Sequence, residues 1–162
     1  MILILPPEIV SQITDSLADA GLREIGGILM GEHVGADTFR VKEITIQRKG
    51  GTFAAFVRFV EEIIAPLRTF FHTTKNDYTR FNYIGEWHSH HSFALSPSRR
   101  DCVTMLDMIM DSHLGAHFIV LMLVKLSNSG TLECSITVYQ PDVKPFVGRV
   151  LQETTVKAKE LE

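Results

Sequence analysis

The chain has 162 residues, the length of one ordinary domain with room for a real core. Hydrophobic residues make up 45% and charged residues 22%, close to the averages of soluble globular proteins, which speaks against disorder and against a membrane protein. A formal net charge of -3, with Lys and Arg scattered apart from Arg99-Arg100, leaves no basic footprint for nucleic acid. Cys102 and Cys134 are the only cysteines. They are too few and too isolated for a disulfide framework or a four-cysteine zinc site, and read as core thiols in a reducing compartment. The N-terminal run Met1-Ile-Leu-Ile-Leu-Pro-Pro7 has no charged flank and is too short for a signal segment or a membrane span. The expected location is cytoplasmic, with neither nucleic acid nor membrane as partner.

In chain order, residues 2–5 read as a short strand stopped by Pro6-Pro7. A helix follows, because Pro7 suits a first helical position, Ile9, Ile13, Leu17 and Ala20 share one face, and Gly21 suits the stop. Residues 26–31 and 38–47 read as strands. In the second, Phe39 and Val41 alternate with Arg40 and Lys42, but Ile44 and Ile46 take the opposite parity, which predicts a β-bulge near Glu43 and a curved sheet. After a loop at 48–51, a third strand is expected at 52–59. Then comes a helix whose apolar face is Val60, Ile63, Ile64, Leu67, Phe70 and Phe71. Pro66 costs such a helix about 3 kcal/mol, which moves the predicted regular part to a start near Ala65.

Residues 82–90 return to strand, and a loop leads into a helix at 97–112, with Ser96 as N-cap and Pro97 as first helical residue. The continuous branched run at 118–124 predicts a central strand buried on both faces. Ser127-Asn-Ser-Gly130 marks a hairpin turn. Beyond it, Leu132, Cys134, Ile136 and Val138 alternate with Glu133, Ser135, Thr137 and Tyr139, predicting one covered face and one more exposed. From Val147 a polar segment with Val150, Leu151 and Val156 as anchors is expected to be helical. With no repeat and no linker, residues 1–162 read as a single domain.

The chemistry concentrates in Gly85-Glu-Trp-His-Ser-His-His-Ser-Phe-Ala-Leu-Ser-Pro-Ser-Arg-Arg-Asp101. Alternate strand residues share a face, so His88 and His90 project together, about 6 to 7 Å apart at Cα, and can chelate one ion. A catalytic zinc needs a third protein ligand and keeps its fourth position for water. Asp101, in the early turns of the next helix, is the best candidate. Taken alone, Ser98-x-x-Asp101 reads as a capping box and His-x-His as a polar cluster at a strand end. The combination shifts the balance towards a metal. Alternation also puts Glu86 on the face of His88, as a residue behind the ligands, and Trp87 on the opposite face, in the core. His33, His72, His113 and His117 lack ligand spacing.

These residues resemble the JAMM metallopeptidases of the MPN fold, whose signature is a Glu, then His-x-His-Pro, seven residues to a Ser and two more to an Asp. Seven residues separate His90 from Ser98, and two arginines separate Ser98 from Asp101. Upstream, Glu24-Ile-Gly-Gly-Ile-Leu-Met-Gly31 is similar to the family's Glu-x-x-Gly-x-Leu-x-Gly strand. The resemblance implies an α+β fold, a three-layer α/β arrangement of the MPN and cytidine-deaminase-like kind, with a curved mixed central sheet flanked by helices. It implies one zinc ion per chain on His88, His90 and Asp101, Glu24 as general base, and Ser98 as a hydrogen-bond donor to the oxyanion. One position departs: His91 stands where the family has proline. Next to His90 on a strand it should point to the other face, so it is not expected to be a ligand; reaching substrate or a carboxylate behind the site is its remaining role.

Metal-assisted amide hydrolysis is the chemistry such residues perform. The family includes isopeptidases and peptidases that cut after the C-terminal glycine of ubiquitin-like proteins, so the implied substrate is a ubiquitin-like protein or its conjugate, its tail added as a strand to a sheet edge. Tyr83-Ile-Gly-Glu-Trp-His88 and Pro97-Ser98 look most like bacterial members encoded beside E1-like and E2-like conjugation enzymes, including those of antiviral defence. Rival readings are a peptidase maturing a sulfur-carrier protein, a small-molecule amidase, and an inactive MPN scaffold. A zinc nucleobase deaminase would need His-x-Glu and Pro-Cys-x-x-Cys, and the chain has neither.

Overall fold

The run beginning at Ile119 is the strand its composition dictates, buried on both faces, and the sheet extends outward from it. The computed structural model describes residues 1–47, 60–90, 94–112 and 114–154. The elements are β1 (Ile2–Leu5), α1 (Pro7–Ala20), β2 (Gly26–Gly35), β3 (Thr38–Ile44), α2 (Val60–Thr73), β4 (Phe81–Ser89), α3 (Arg99–Met110), β5 (Ile119–Leu126), β6 (Leu132–Gln140), β7 (Val143–Val147) and β8 (Arg149–Gln152). The strands form one sheet in the order β7-β6-β5-β4-β2-β3-β1-β8. It is mixed: β1 runs parallel to β3 and β8, β4 runs parallel to β5, and the other pairs are antiparallel. This is the predicted curved α+β architecture. The expected strand at 52–59 lies outside the described residues.

Alternation sorts the side chains into layers. Val120, Met122 and Val124 point to the α1 side, where they join Ile9, Ile13, Leu17, Leu29 and Trp87 in the largest core cluster. Ile119, Leu121 and Leu123 point to the other side and pack against Met105 and Ile109 of α3. On that same side Ile28 and Met30 of β2 meet Phe70 of α2. The predicted bulge in β3 is present, since Met30 pairs with Glu43 and Gly31 with Val41, leaving Lys42 as the extra residue. A second irregularity falls in β4, where Leu29 pairs with Gly85 and Met30 with Tyr83. Skipping Ile84 sends it to the core with Trp87 and leaves Tyr83, Glu86 and His88 on the α3 side.

Two expectations are corrected and a third is sharpened. From Val147 the chain is not helical: it completes β7 and, after Gly148, enters β8. The two outer strands of the sheet are thus consecutive in the chain. Gly148 N–H reaches Ile136 O at 3.1 Å and Arg149 N–H reaches Met1 O at 3.0 Å, so the sheet curls until its ends meet at Gly148, and β6 and β1 gain in β7 and β8 the backbone partners that a helix would not supply. Pro66 does not delay α2, which starts at Val60 and carries the proline inside. The more exposed face of β6 is graded: Glu133 is exposed as expected, Ser135 and Thr137 are half-buried, and Tyr139 alone is fully buried, against α3.

Gly27 lies where β2 approaches β3 closely. A Cβ there would stand 1.8 Å from Thr45 O and 2.6 Å from its carbonyl carbon, both backbone atoms that cannot swing away. Gly27→Ala is therefore expected to destabilise the metal-free protein by at least about 1–3 kcal/mol, the usual cost of overpacking, read as a lower denaturant midpoint at unchanged m-value. An unchanged midpoint would mean that β3 sits further from β2.

No helix among the described residues is long and apolar enough to cross a membrane.

Candidate metal centre

The end of β4 and the residue after it carry the pair that alternation places on one face. His88 Nε2 and His90 Nε2 stand 3.1 Å apart, with ring centroids 4.9 Å apart and planes inclined by 52°. Asp101 Oδ1 lies 3.7 Å from His88 Nε2, and one ligand atom from each of the three residues lies within 4.8 Å of the others. Tetrahedral zinc with bonds of roughly 2.0–2.1 Å needs donors about 3.3 Å apart. The residues present fit that ion. His90 Nδ1 lies 3.2 Å from Ala94 O; a carbonyl can only accept, so Nδ1 carries the proton and Nε2 offers its lone pair to the centre.

Burial tunes the donors. The His88 pKa is lowered to about 4, first by burial, with Asp101 opposing and His90 adding to the shift. A neutral imidazole is the form that binds a metal. Asp101 is 4% exposed and divides its carboxylate: Oδ2 accepts the Ser98 N–H at 2.7 Å, while Oδ1 faces His88. In return the Asp101 N–H donates to Ser98 Oγ at 3.2 Å. The sequence offered capping box and metal ligand as alternatives, but the geometry accommodates both. This reciprocal pair also makes Ser98 the N-cap of α3, where Ser96 was expected. Because Ser98 Oγ accepts the cap bond, its own hydroxyl hydrogen is left to donate elsewhere.

Glu24 is half-buried in the turn between α1 and β2 and is not a member of the three-residue cluster. Its position follows from register. Gly26 pairs with His88, and Ile25 exchanges two bonds with Ser89: Ser89 N–H donates to Ile25 O at 2.8 Å, and Ile25 N–H donates to Ser89 Oγ at 3.0 Å. Glu24 directly precedes this joined pair in the chain, as His90 directly follows it. Gly26 explains the close approach, since a Cβ there would stand 2.5 Å from Trp87 O and 3.0 Å from His88 Cβ. Ser89 was overlooked in the sequence; the signal was a small hydroxyl between two ligands, on the opposite face by alternation and small enough to accept from the neighbouring backbone. His91 lies outside the described residues. Among the histidines without ligand spacing, His33, His72 and His117 are exposed, and His33 stacks on Phe39. His113 lies outside the described residues.

Glu86 is 3% exposed, between Ile28 and Leu121 on the neighbouring strands. Burial pushes its carboxyl up to about 8. Neither Glu86 Oε2 nor the Tyr83 hydroxyl makes a hydrogen bond among the described residues. A folded pKa near 8 against 4.5 unfolded means that Glu86 contributes stability fully present below pH 4.5 and lost as pH rises through 8. His88 works in the opposite sense, contributing stability above pH 6.5 that is lost as pH falls through 4. Between pH 6.5 and 8 only Glu86 of this pair should slope. The metal-free protein should lose up to about 1.4 kcal/mol per pH unit there, and Glu86→Gln should flatten the slope in thermal melts. Equal slopes in parent and variant would show that the carboxyl ionises freely.

Fold and site together define a mixed α+β domain that presents the His/His/Asp ligand set of a metallohydrolase. Residues 6–134 match the prokaryotic homologs of the JAB domain, and the chain belongs to that family. No curated protein sequence matches it significantly. Among solved structures, a Desulfitobacterium hafniense protein superposes with a TM-score of 0.59 at 13% identity, covering 96% of this chain and 95% of its own. A Salinibacter ruber protein does so with a TM-score of 0.52 at 16% identity, covering 94% and 92%. At these identities the likeness is one of fold.

Proposed function

We propose that the protein is a zinc-dependent peptidase or isopeptidase that cuts after the C-terminal glycine of a ubiquitin-like protein or its conjugate. The convergence of His88 Nε2, His90 Nε2 and Asp101 Oδ1 carries the metal-dependent part of this reading. The ubiquitin-like substrate rests on the resemblance of the motifs, as does an operon setting beside E1-like and E2-like enzymes of an antiviral conjugation system. Zinc in such a site acidifies a water to a pKa of about 7 and polarises the scissile carbonyl.

The chain's own residues do the rest. Glu24 takes the proton of the attacking water and passes it to the leaving amine. Ser98 donates its hydroxyl hydrogen to the developing oxyanion, a contact worth roughly 3 to 4 kcal/mol. α3 and β5 are joined by residues 111–118 alone, which leaves little room at that point for an insertion reading a second ubiquitin-like moiety. Preference should therefore lie with the cleaved tail.

The test is incubation of the purified protein with a ubiquitin-like protein fused through its C-terminal glycine to a reporter. Cleavage that stops on chelation and returns with zinc is the expected result. A protein that binds no zinc would sink the reading; one that binds zinc but cuts only small amides would favour the amidase alternative.

A further inference from the structure

Asp101 is the ligand whose placement the chain leaves least constrained. His88 lies in β4 and His90 directly follows it, its N–H held by Val124 O at 2.9 Å, whereas Asp101 comes from α3, after a connection with no proline between His90 and Ser96. Where the described chain resumes, two successive carbonyls are taken up. Ala94 O accepts from His90 Nδ1 at 3.2 Å, and Leu95 O accepts from the Ser135 hydroxyl at 2.6 Å. Ser135 lies on β6, opposite Leu123 of β5, on the face that packs α3. The Leu95 side chain packs against the same cluster of Met105, Leu121, Leu123 and Tyr139.

Four residues along β6, the Tyr139 hydroxyl donates to Cys102 Sγ at 3.6 Å. A strand that contributes no ligand thus grips the chain on both sides of Asp101, before it at Leu95 and after it at Cys102. Eight consecutive pairs tie β6 to β5, and β5 runs beside the ligand strand, with Leu123 opposite His88. The grip is therefore referenced to the histidines themselves.

We infer that Ser135 is a positioning residue of the metal centre. By holding the Leu95 carbonyl it fixes the adjoining Ala94 carbonyl, which sets the ring of His90, and it fixes the approach of the Ser98 cap, which sets the carboxylate of Asp101. It touches neither metal nor substrate. The inference rests on the metal reading of the site, and such outer partners typically alter metal affinity by about 10–100-fold.

The test uses the full chain. Zinc affinity is measured by competition with a chromophoric chelator, and the cobalt-substituted protein is examined for its visible absorption bands, which report ligand geometry. Ser135→Ala should weaken zinc about tenfold and shift or weaken the cobalt bands, while Ser135→Thr, which keeps the hydroxyl, should restore both. Ser135→Val is strand-favouring and lacks the hydroxyl, so it should behave as Ala does even if the alanine variant folds poorly. Ala and Val variants that match the parent in zinc affinity and cobalt spectrum overturn the inference alone. A parent that binds no metal overturns the functional reading and this inference with it.

Discussion

Asp101→Asn should lose zinc while α3 stays folded. The two carboxylate oxygens have separate tasks: Oδ2 accepts the Ser98 N–H at 2.7 Å, and Oδ1 stands 3.7 Å from His88 Nε2. An asparagine can keep the first with its carbonyl oxygen. At the second it presents an amide N–H, a donor with no lone pair for a cation. Affinity should fall by more than the roughly 10–100-fold that outer partners cost, measured by chelator competition. The metal-free variant should melt close to the parent, because the cap survives. Asp101→Ala removes both tasks and should add a stability loss of about 1 kcal/mol, the usual worth of such a cap. If Asn retained zinc at parental affinity, Asp101 would be a cap and nothing more.

That division explains what was legible in the sequence. His88, His90 and Asp101 could be read because each depends on local geometry: a period of two along a strand, then a helix start at fixed distance. The bulge near Glu43 was legible for the same reason, as a change of parity. Closure of the sheet was not, because Arg149-Val-Leu-Gln152 carries no strand pattern of its own and becomes β8 only by pairing with β1. Ser135 and Tyr139 were read as part of the more exposed face, and the burial of Tyr139 was missed for a related reason. The helix that covers them comes from 30 or so residues earlier, and alternation reports which residues share a face but not what packs there. The buried carboxyl of Glu86 lies between: its face followed from alternation, while its burial needed the bulge at Ile84-Gly85 to turn Tyr83 towards it.

Glu24→Gln is the second decisive variant, because it should separate chemistry from metal binding. In the proposed reaction Glu24 moves a proton and binds nothing, and it is absent from the cluster that can hold the ion. The variant should therefore keep parental zinc affinity and the same cobalt spectrum. Cleavage should drop by about 10²–10⁴, the range a general base contributes, and the loss should appear in kcat rather than in KM, since substrate binding is untouched. The pairing brings the start of β2 to the end of β4: Gly26 pairs with His88, and the Ser89 N–H is bonded to Ile25 O, with Glu24 the next residue back in the chain. Full activity in the variant would move the base elsewhere. Zinc loss in the variant would make Glu24 a fourth ligand and close the position that the proposed mechanism reserves for water.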